Sequence, residues 1–471
     1  MEERRKTIFG RLADNIRKGD RVIWLIVVIL MLISLVAIFS STSTLAMHSG
    51  VSRWTIFAKH ILLVAAGLMI IVLSSAIPSI KWYRMISALG FIGSLVLLLF
   101  LVLHLHIGDA IKVKTVNGAS RTIDIFGFGL QVYEVVKIAM VMYLSWALQM
   151  YDARAFRLSN FLAERFPSAL GWLAKDNVQL WIYIFLPIMI VTGLILLGST
   201  GSAILCFCVM MVTLLIGGIK WKSLISPVLV VIAGGLLLVG THIVSSGAAI
   251  PRMKTVFSRL HVPLPYPDKQ AREEMRAEME LLSMEADELR EGSEDHRKYL
   301  DKHRQAESAG IALVEGGRHI VGKGPGKSTQ KYVVPVMYED YIYSLLIEEY
   351  GLIFGIIVLL MYMSIFARGG IIISHTTNRY AQACVGGLVF LITFQALFHI
   401  LINCNVGIVS GQTLPLISHG RCSFLCFCIA FGEILCISRM TTEKIEREKQ
   451  KMQELMEKSE GGDIISDEID N

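Results

Sequence analysis

The sequence predicts an all-α polytopic membrane protein of about ten transmembrane helices, with a large extracytoplasmic loop between helices 7 and 8. Three observations predict it. Of 471 residues, 54% are hydrophobic, and the mean hydropathy is +0.57. Apolar runs of about 18 residues or more, each able to cross roughly 30 Å of hydrocarbon, recur along the chain. Lys and Arg in the short loops fall on alternate connections, the pattern that sets the orientation of membrane helices.

The apolar runs are 22–41, 55–77, 84–104, 130–150, 179–198, 201–219, 223–243, 341–366, 379–403 and 421–438. The first follows a basic head without a small-residue cleavage site, and reads as a retained helix rather than a removed signal peptide. The run at 130–150 is the weakest, because it carries Glu134 and Lys137. The basic clusters before helix 1, between 2 and 3, 4 and 5, 6 and 7, 8 and 9, and after helix 10 then share one side. Both termini are expected in the cytoplasm, and segments 105–129 and 244–340 outside. The chain divides into an N-terminal tail (1–21), helices 1 to 7 (22–243), the outer loop (244–340), helices 8 to 10 (341–438) and a C-terminal tail (439–471).

The eight cysteines sit in or near apolar helices and act there as small hydrophobes rather than as a disulfide framework. The net charge of +6 is concentrated at the cytoplasmic ends, where it suits anionic lipid. No basic face interleaved with aromatics is present, so nucleic acid is not an expected partner.

Three polar segments break the apolar pattern. In the outer loop, residues 270–305 are dense in charge, with Met275, Met279, Leu282, Ala286 and Leu289 near one side of a helix. That pattern fits a helix lying on the membrane or a partner equally as well as a solvated insertion. A Gly/Lys stretch follows, with Gly322, Gly324, Gly326, Lys323 and Lys327. It could cradle a diphosphate, but it lacks P-loop spacing. The second segment, Val116 to Met140, has a turn signal at Asn117-Gly118, then Arg121. Glu134 and Lys137 are three residues apart on one helix face. They read either as an ion pair fixing helix packing or as the lining of a polar cavity open to the outside. The third, Asn405 to Phe424, has Gly407, Gly411, Pro415 and Gly420, and reads as a loop dipping back against the bundle.

The outer loop ends in VMYEDYIYSLLIEEYG, where Glu339 and Asp340 precede an apolar run. A carboxylate there sits at the positive end of a helix, which favours its ionised form. It can take a proton from a sugar hydroxyl at the membrane surface.

Taken together, these segments resemble the SEDS family (shape, elongation, division and sporulation). NGASRTIDIFGFGLQVYEVVKIA is similar to its N-G-A-x-R-W-I-…-Q-P-S-E-x-x-K. GKGPGKSTQKYVVPVMYEDYIYSLLIEEYG is similar to G-x-G-x-G-x-S-x-Q-…-P-E-x-x-x-D-F-I-F-x-x-x-x-E-E-x-G. NVGIVSGQTLPLISHGRCSF is similar to N-V-G-…-T-G-x-x-L-P-x-I-S-Y-G-G-S-S. The resemblance implies a peptidoglycan glycosyltransferase that polymerises lipid II on the outer face of the cytoplasmic membrane. It implies a class B penicillin-binding protein and other divisome membrane proteins as partners. Alternatives are a lipid II flippase and a non-catalytic scaffold that recruits the transpeptidase. The tails at both ends favour the division (FtsW-like) branch over the elongation (RodA-like) one.

Carried over, the family's essential acid falls on Asp340, with Glu339 as the alternative base. Arg121, Glu134, Lys137, Lys323, Gln330, Glu348, Glu349 and Ser418 match other motif positions and are expected at the substrate. Lys137 and Arg121 would face the donor diphosphate. A divalent cation, Mg or Mn, is compatible with such a leaving group, although no ligand set is identified; no organic cofactor is expected. The chain departs from the pattern at Thr122, at Val132-Tyr133 and at His419-Gly420-Arg421-Cys422-Ser423.

Overall fold

The computed structural model describes residues 18–106, 111–116, 119–244, 307–318, 320–332, 337–406 and 411–469. The charged stretch 270–305 and Asn117-Gly118 lie outside them.

All ten apolar runs form helix. They are α1 (Arg21–Ser49), α2 (Arg53–Ser75), the pair α3 (Ile80–Ala88) and α4 (Gly90–Val102), and α5 (Val132–Asp152). After the short α6 (Arg157–Arg165) come α7 (Asp176–Leu196), α8 (Thr200–Ile216) and α9 (Trp221–Val244). Residues 307–317 form α10. The last four are α11 (Ile342–Tyr350), α12 (Leu352–His375), α13 (Arg379–Asn403) and α14 (Arg421–Ile469). Six of these are long and apolar enough to cross a membrane, and α3 with α4 makes a seventh across a 43° bend. The others are special cases. α8 has 17 residues, and α5 carries a buried Glu and Lys near its start. The chain is a multi-pass membrane protein.

Three expectations change. The eighth run is not one helix from 341: it breaks at Gly351 into α11 and α12. Gly351 has φ +86°, and a Cβ there would lie 2.3 Å from the carbonyl oxygen of Ile320. Gly322, in the outer loop, approaches from the other side, where a Cβ would be 2.5 Å from the Gly351 nitrogen. Backbone packs on backbone here, so only glycine fits. α11 is buried, and α12 makes the crossing.

Secondly, the last helix does not end near 438. α14 runs on to Ile469, carried past the membrane by Arg439–Glu443, Arg447–Glu443 and Lys444–Glu448 pairs at helical spacing.

Thirdly, the outer segment before α5 is a three-stranded antiparallel sheet, order β1-β2-β3, of Ile111–Val116, Ala119–Ile125 and Phe128–Gln131. Val116 pairs with Ala119 at the end of the β1–β2 ladder. Ile125 pairs with Phe128 across a two-residue turn, Phe126 and Gly127, both at positive φ. The alternation in IKVKT and RTIDI explains the sheet. Ile111 faces Ile125 and Val113 faces Ile123 on the apolar side, while Lys114 pairs with Asp124 on the other. Residues two apart share a face, so Arg121 is aimed the same way as buried Ile123, toward the bundle.

The centre of the bundle is α13. It is buried along most of its length and packs against α5, α8, α12 and α14. At the far end of the bundle, Asp20 caps α1 by accepting from the N–H groups of Val22 and Ile23, each at 3.0 Å. Its other oxygen accepts from Arg368 at 2.6 and 2.9 Å.

Replacing Gly351 with Ala should lower the melting temperature in detergent. The left-handed backbone alone costs about 1–3 kcal/mol, and the clash with Ile320 adds to it. An unchanged Tm would mean that the elbow does not hold α11.

Candidate functional site at one end of the bundle

Glu339 and Asp340 lie in the turn that leads into α11, and both are half-buried. Their main chain is pinned from three directions. Asn403 of α13 donates its side-chain amide to the Asp340 carbonyl (3.2 Å). Ser418 donates its hydroxyl to the Glu339 carbonyl (2.8 Å), and the His419 N–H donates to the Tyr338 carbonyl (3.1 Å). The dipping loop is therefore laced to the acidic turn. Among the described residues, nothing hydrogen-bonds to the Asp340 carboxylate. Its oxygens face Gly411, where an added Cβ would be 3.0 Å from Oδ2.

The expected effect of the helix end on this carboxyl does not prevail. Burial raises the Asp340 pKa, the neighbouring Glu339 charge raises it further, and Arg121 opposes both; the result is about 7. Burial also raises Glu339, with Arg421 pulling the other way. α11 has only nine residues, and its N-cap, Tyr341, makes no side-chain cap. Its dipole is weak beside the loss of water.

The next residue of the loop, Gln412, leads to Lys137. Its ammonium donates to Glu134 (2.8 Å), Gln395 (2.5 Å) and Gln412 (3.4 Å). An ammonium has three donors, and all three are met. Gln412 in turn donates to Ser202 of α8 (3.0 Å), and its carbonyl meets His399 Nδ1 (2.7 Å). Gln395 donates to the Thr413 carbonyl (3.1 Å), and Thr413 shares a hydrogen bond with Ser423 (2.6 Å). Asn403 also accepts from both the Ser344 N–H and its hydroxyl. Asp340 and Lys137 thus meet the same short stretch of the dipping loop, at Gly411 and at the Gln412 side chain.

The second group of expected residues is elsewhere. Glu348 and Glu349 are fully buried at the far end of α11, about 12 Å from Asp340 by helical rise. Glu348 accepts from Ser328 (2.5 Å), Lys323 (2.9 Å) and both the N–H and hydroxyl of Thr329 (2.9 Å each). Burial works to raise its pKa, but these donors outweigh it and leave it below the usual range. Glu349 accepts from Ser40 of α1 (2.5 Å), with Lys331 at 3.8 Å. The N–H groups of Lys323 and Gly324 donate to the carbonyls of Glu348 and Glu349. Gln330 touches only Thr329 in this group, at 3.5 Å.

The structure therefore brings together Asp340, Arg121, Glu134, Lys137 and Ser418. It separates Lys323, Gln330, Glu348 and Glu349, whose visible task is to hold the glycine loop against α11 and α1. Direct diphosphate contact through Lys137 is not what this geometry offers, because the ammonium is buried and its donors are occupied. The earlier reading of Glu134 and Lys137 as a packing ion pair describes their position better than an open cavity.

Sequence reasoning missed Gln395, His399, Asn403, Gln412 and Ser202. The signal for three of them was available. Gln395, His399 and Asn403 recur every four residues on one face of an apolar span, where polar side chains are costly without partners.

The sequence profile of the family described as "Cell cycle protein" (FtsW, RodA, SpoVE) matches residues 20–269 and 291–443. A probable peptidoglycan glycosyltransferase FtsW of Coxiella burnetii is 28% identical over 394 residues, covering 82% of this chain and 87% of the relative. One from Enterococcus hirae is 26% identical over 459 residues, covering 94% and 99%. In fold, the chain is similar to one from a peptidoglycan synthase complex, described for its coordination of polymerization and crosslinking. The TM-score is 0.56 at 17% identity, over 90% of this chain and 98% of that one. The rod shape determining protein RodA of Thermus thermophilus gives a TM-score of 0.50 at 16% identity, over 89% and 97%. The two profile matches take in α1 to α9 and α11 to α13 as well as the whole polar cluster around Asp340 and Lys137, and the chain belongs to the FtsW/RodA/SpoVE family of cell cycle proteins.

Proposed function

We propose that this protein is the peptidoglycan glycosyltransferase of cell division, polymerising lipid II into glycan strands at the outer face of the bacterial cytoplasmic membrane. The observation that carries the reading is Asp340. It is a half-buried carboxylate with no described hydrogen-bond donor on its oxygens, on a main chain fixed by Asn403, Ser418 and His419.

Glycosyl transfer then proceeds in one displacement. The 4-hydroxyl oxygen of the acceptor sugar bonds to the anomeric carbon of the donor. The carbon–oxygen bond to the donor's lipid diphosphate breaks, and its electron pair leaves with the diphosphate. The hydroxyl proton passes to Asp340, which later releases it to water. One base and one displacement invert the anomeric centre. A pKa near 7 suits a general base, since the group is then basic enough to accept the proton yet ionised in about half the molecules at neutral pH. Arg121, on the inward face of β2, supplies positive charge beside this carboxylate for the leaving diphosphate. Lys137, with Glu134, Gln395 and Gln412, holds the 411–413 main chain against which the base rests.

A resident metal does not fit the residues present. Among the described residues, no three of His, Cys, Asp and Glu converge as an all-protein cage would need; Glu339 and Asp340 are two carboxylates that could share a Mg or Mn ion with water and substrate phosphates. On this reading a divalent Mg or Mn ion comes with the lipid diphosphates, as part of the substrate.

Two further observations bear on the alternatives. A flippase needs a polar path through the bundle. Along α13 the polar face at Gln395, His399 and Asn403 is cut off from Tyr380 by buried Val385, Leu388, Val389, Leu391 and Ile392, which favours chemistry at one end. A pure scaffold has no use for a raised, unbonded carboxyl. The likeness to a chain of a synthase complex supports a cross-linking partner, on this reading a class B penicillin-binding protein, and the alternation of basic loops supports both termini in the cytoplasm.

Three measurements test the reading. With purified protein, lipid II and a divalent cation, Asp340→Asn should cut the initial polymerisation rate by about 100-fold or more without lowering Tm. Glycan growth at the wild-type rate would sink the assignment. The wild-type rate at subsaturating lipid II should climb about tenfold per unit of pH below 7 and level off above, since only the deprotonated carboxylate accepts the proton. A profile flat from pH 5 to 8 would contradict it. Lys137→Met leaves Glu134 as an unpaired buried charge, and should lower stability by about 3–5 kcal/mol. Adding Glu134→Gln should recover most of the lost Tm, whereas no recovery would mean that the pair is not the cause.

A further inference from the structure

The dipping loop carries two side chains at its end that differ from the family pattern, and they point different ways. The His419 ring turns inward, edge-on to Tyr338 (5.8 Å between centroids) and 5.3 Å from the ring of His60 on α2. Burial, helped by the Arg421 charge, holds His419 near 4, so it is neutral at physiological pH. Arg421, two residues on, is exposed. Its position is fixed by the same contacts that lace the loop to the acidic turn, Ser418 to the Glu339 carbonyl and His419 N–H to the Tyr338 carbonyl. Its charge is felt by Glu339, yet among the described residues no carboxylate comes within ion-pair distance of it. It is a cation at the rim of the site, held close to the acidic pair but left open on its outer side.

The chemistry asks for such a group. Resting on the glycan-polymerase reading above, the reaction joins two lipid-borne sugars, and each brings its own diphosphate. The donor's diphosphate gains charge as the bond breaks. The acceptor's diphosphate takes no part in the bond changes and needs only to be held. Arg121 acts on Asp340 and Arg421 on Glu339, so the two guanidinium groups flank the acidic turn from two elements, β2 and the start of α14.

We propose that Arg421 is a positioning residue that holds the diphosphate of the acceptor lipid, leaving the donor's diphosphate to the side of the site that carries Arg121. A guanidinium binds a phosphate through two parallel N–H donors. A contact equal in the ground state and the transition state changes KM and leaves kcat alone. Arg421 should therefore set how much acceptor is needed, not how fast the bound pair reacts.

The test uses the full chain in detergent and in vesicles. A lipid II whose 4-hydroxyl is capped with galactose can only donate. It is held at saturation while uncapped lipid II is varied. Arg421→Gly should raise the half-saturating concentration of uncapped lipid II about tenfold, the worth of one charged contact. The maximal rate should stay within about twofold, and Tm should not move. Arg421→Lys should recover part of the loss. The half-saturation for capped lipid II, measured at saturating uncapped lipid II, should not change. The same contrast should persist in phosphatidylcholine vesicles and in vesicles containing phosphatidylglycerol. If the effect appears only with phosphatidylglycerol, Arg421 binds bulk anionic lipid and the inference is wrong. It is equally wrong if acceptor half-saturation is unchanged, or if maximal rate and Tm fall together. Should wild-type protein form no glycan at all while remaining folded, the polymerase reading itself fails, a result distinct from these.

Discussion

Lys137 carries a positive charge into the interior of a membrane bundle, where an unmet ammonium would be far more costly than the helix that bears it could offset. Its three donors reach Glu134 on the same helix, Gln395 on α13 and Gln412 on the dipping loop. Because those acceptors belong to three separate pieces of chain, meeting them fixes where the pieces lie. The 411–413 segment is held to α5 and α13, and Asp340 packs against its Gly411. Removing the charge pair altogether would be gentler than removing one member, since an isolated buried Glu or Lys is the costly state.

The second polar cluster does a different job with similar residues. Glu348 and Glu349 gather Ser328, Thr329, Lys323, Lys331 and Ser40 at the far end of α11. They keep the glycine loop folded over the helix that carries the acidic pair. Motif residues that look alike in a line of sequence, all charged and all near a membrane boundary, thus divide into one set gathered at the acidic turn and another that holds the glycine loop against α11.

Much of this was legible beforehand. All ten apolar runs became helix, six of them long and apolar enough to cross a membrane and a bent pair making a seventh, because span length is set by the bilayer, a constraint local enough to read from hydropathy. The Glu134–Lys137 contact followed from three-residue spacing alone. The break at Gly351 did not, because Tyr350-Gly351-Leu352 sits inside an apolar run, and only the close approach of Ile320 and Gly322 makes glycine necessary. Nor did the separation of Glu348 from Asp340. Both are acidic neighbours of one helix, and which end meets the dipping loop depends on contacts with Asn403 and Ser418, more than sixty residues away. The outer sheet was overlooked for a simpler reason. Its alternation spans only a few residues on each strand, beside far stronger helical signals.

The elbow between α11 and α12 has one more implication. It is built from main-chain atoms in mutual contact, so no exchange of side chains can shift it by small steps. The height and bearing of the acidic turn are thereby properties of the scaffold. Charges around its edge, such as the one at 421, act on the acidic pair through space without moving the main chain that carries it, and that leaves the edge as the place where electrostatics can be retuned while the frame stays put.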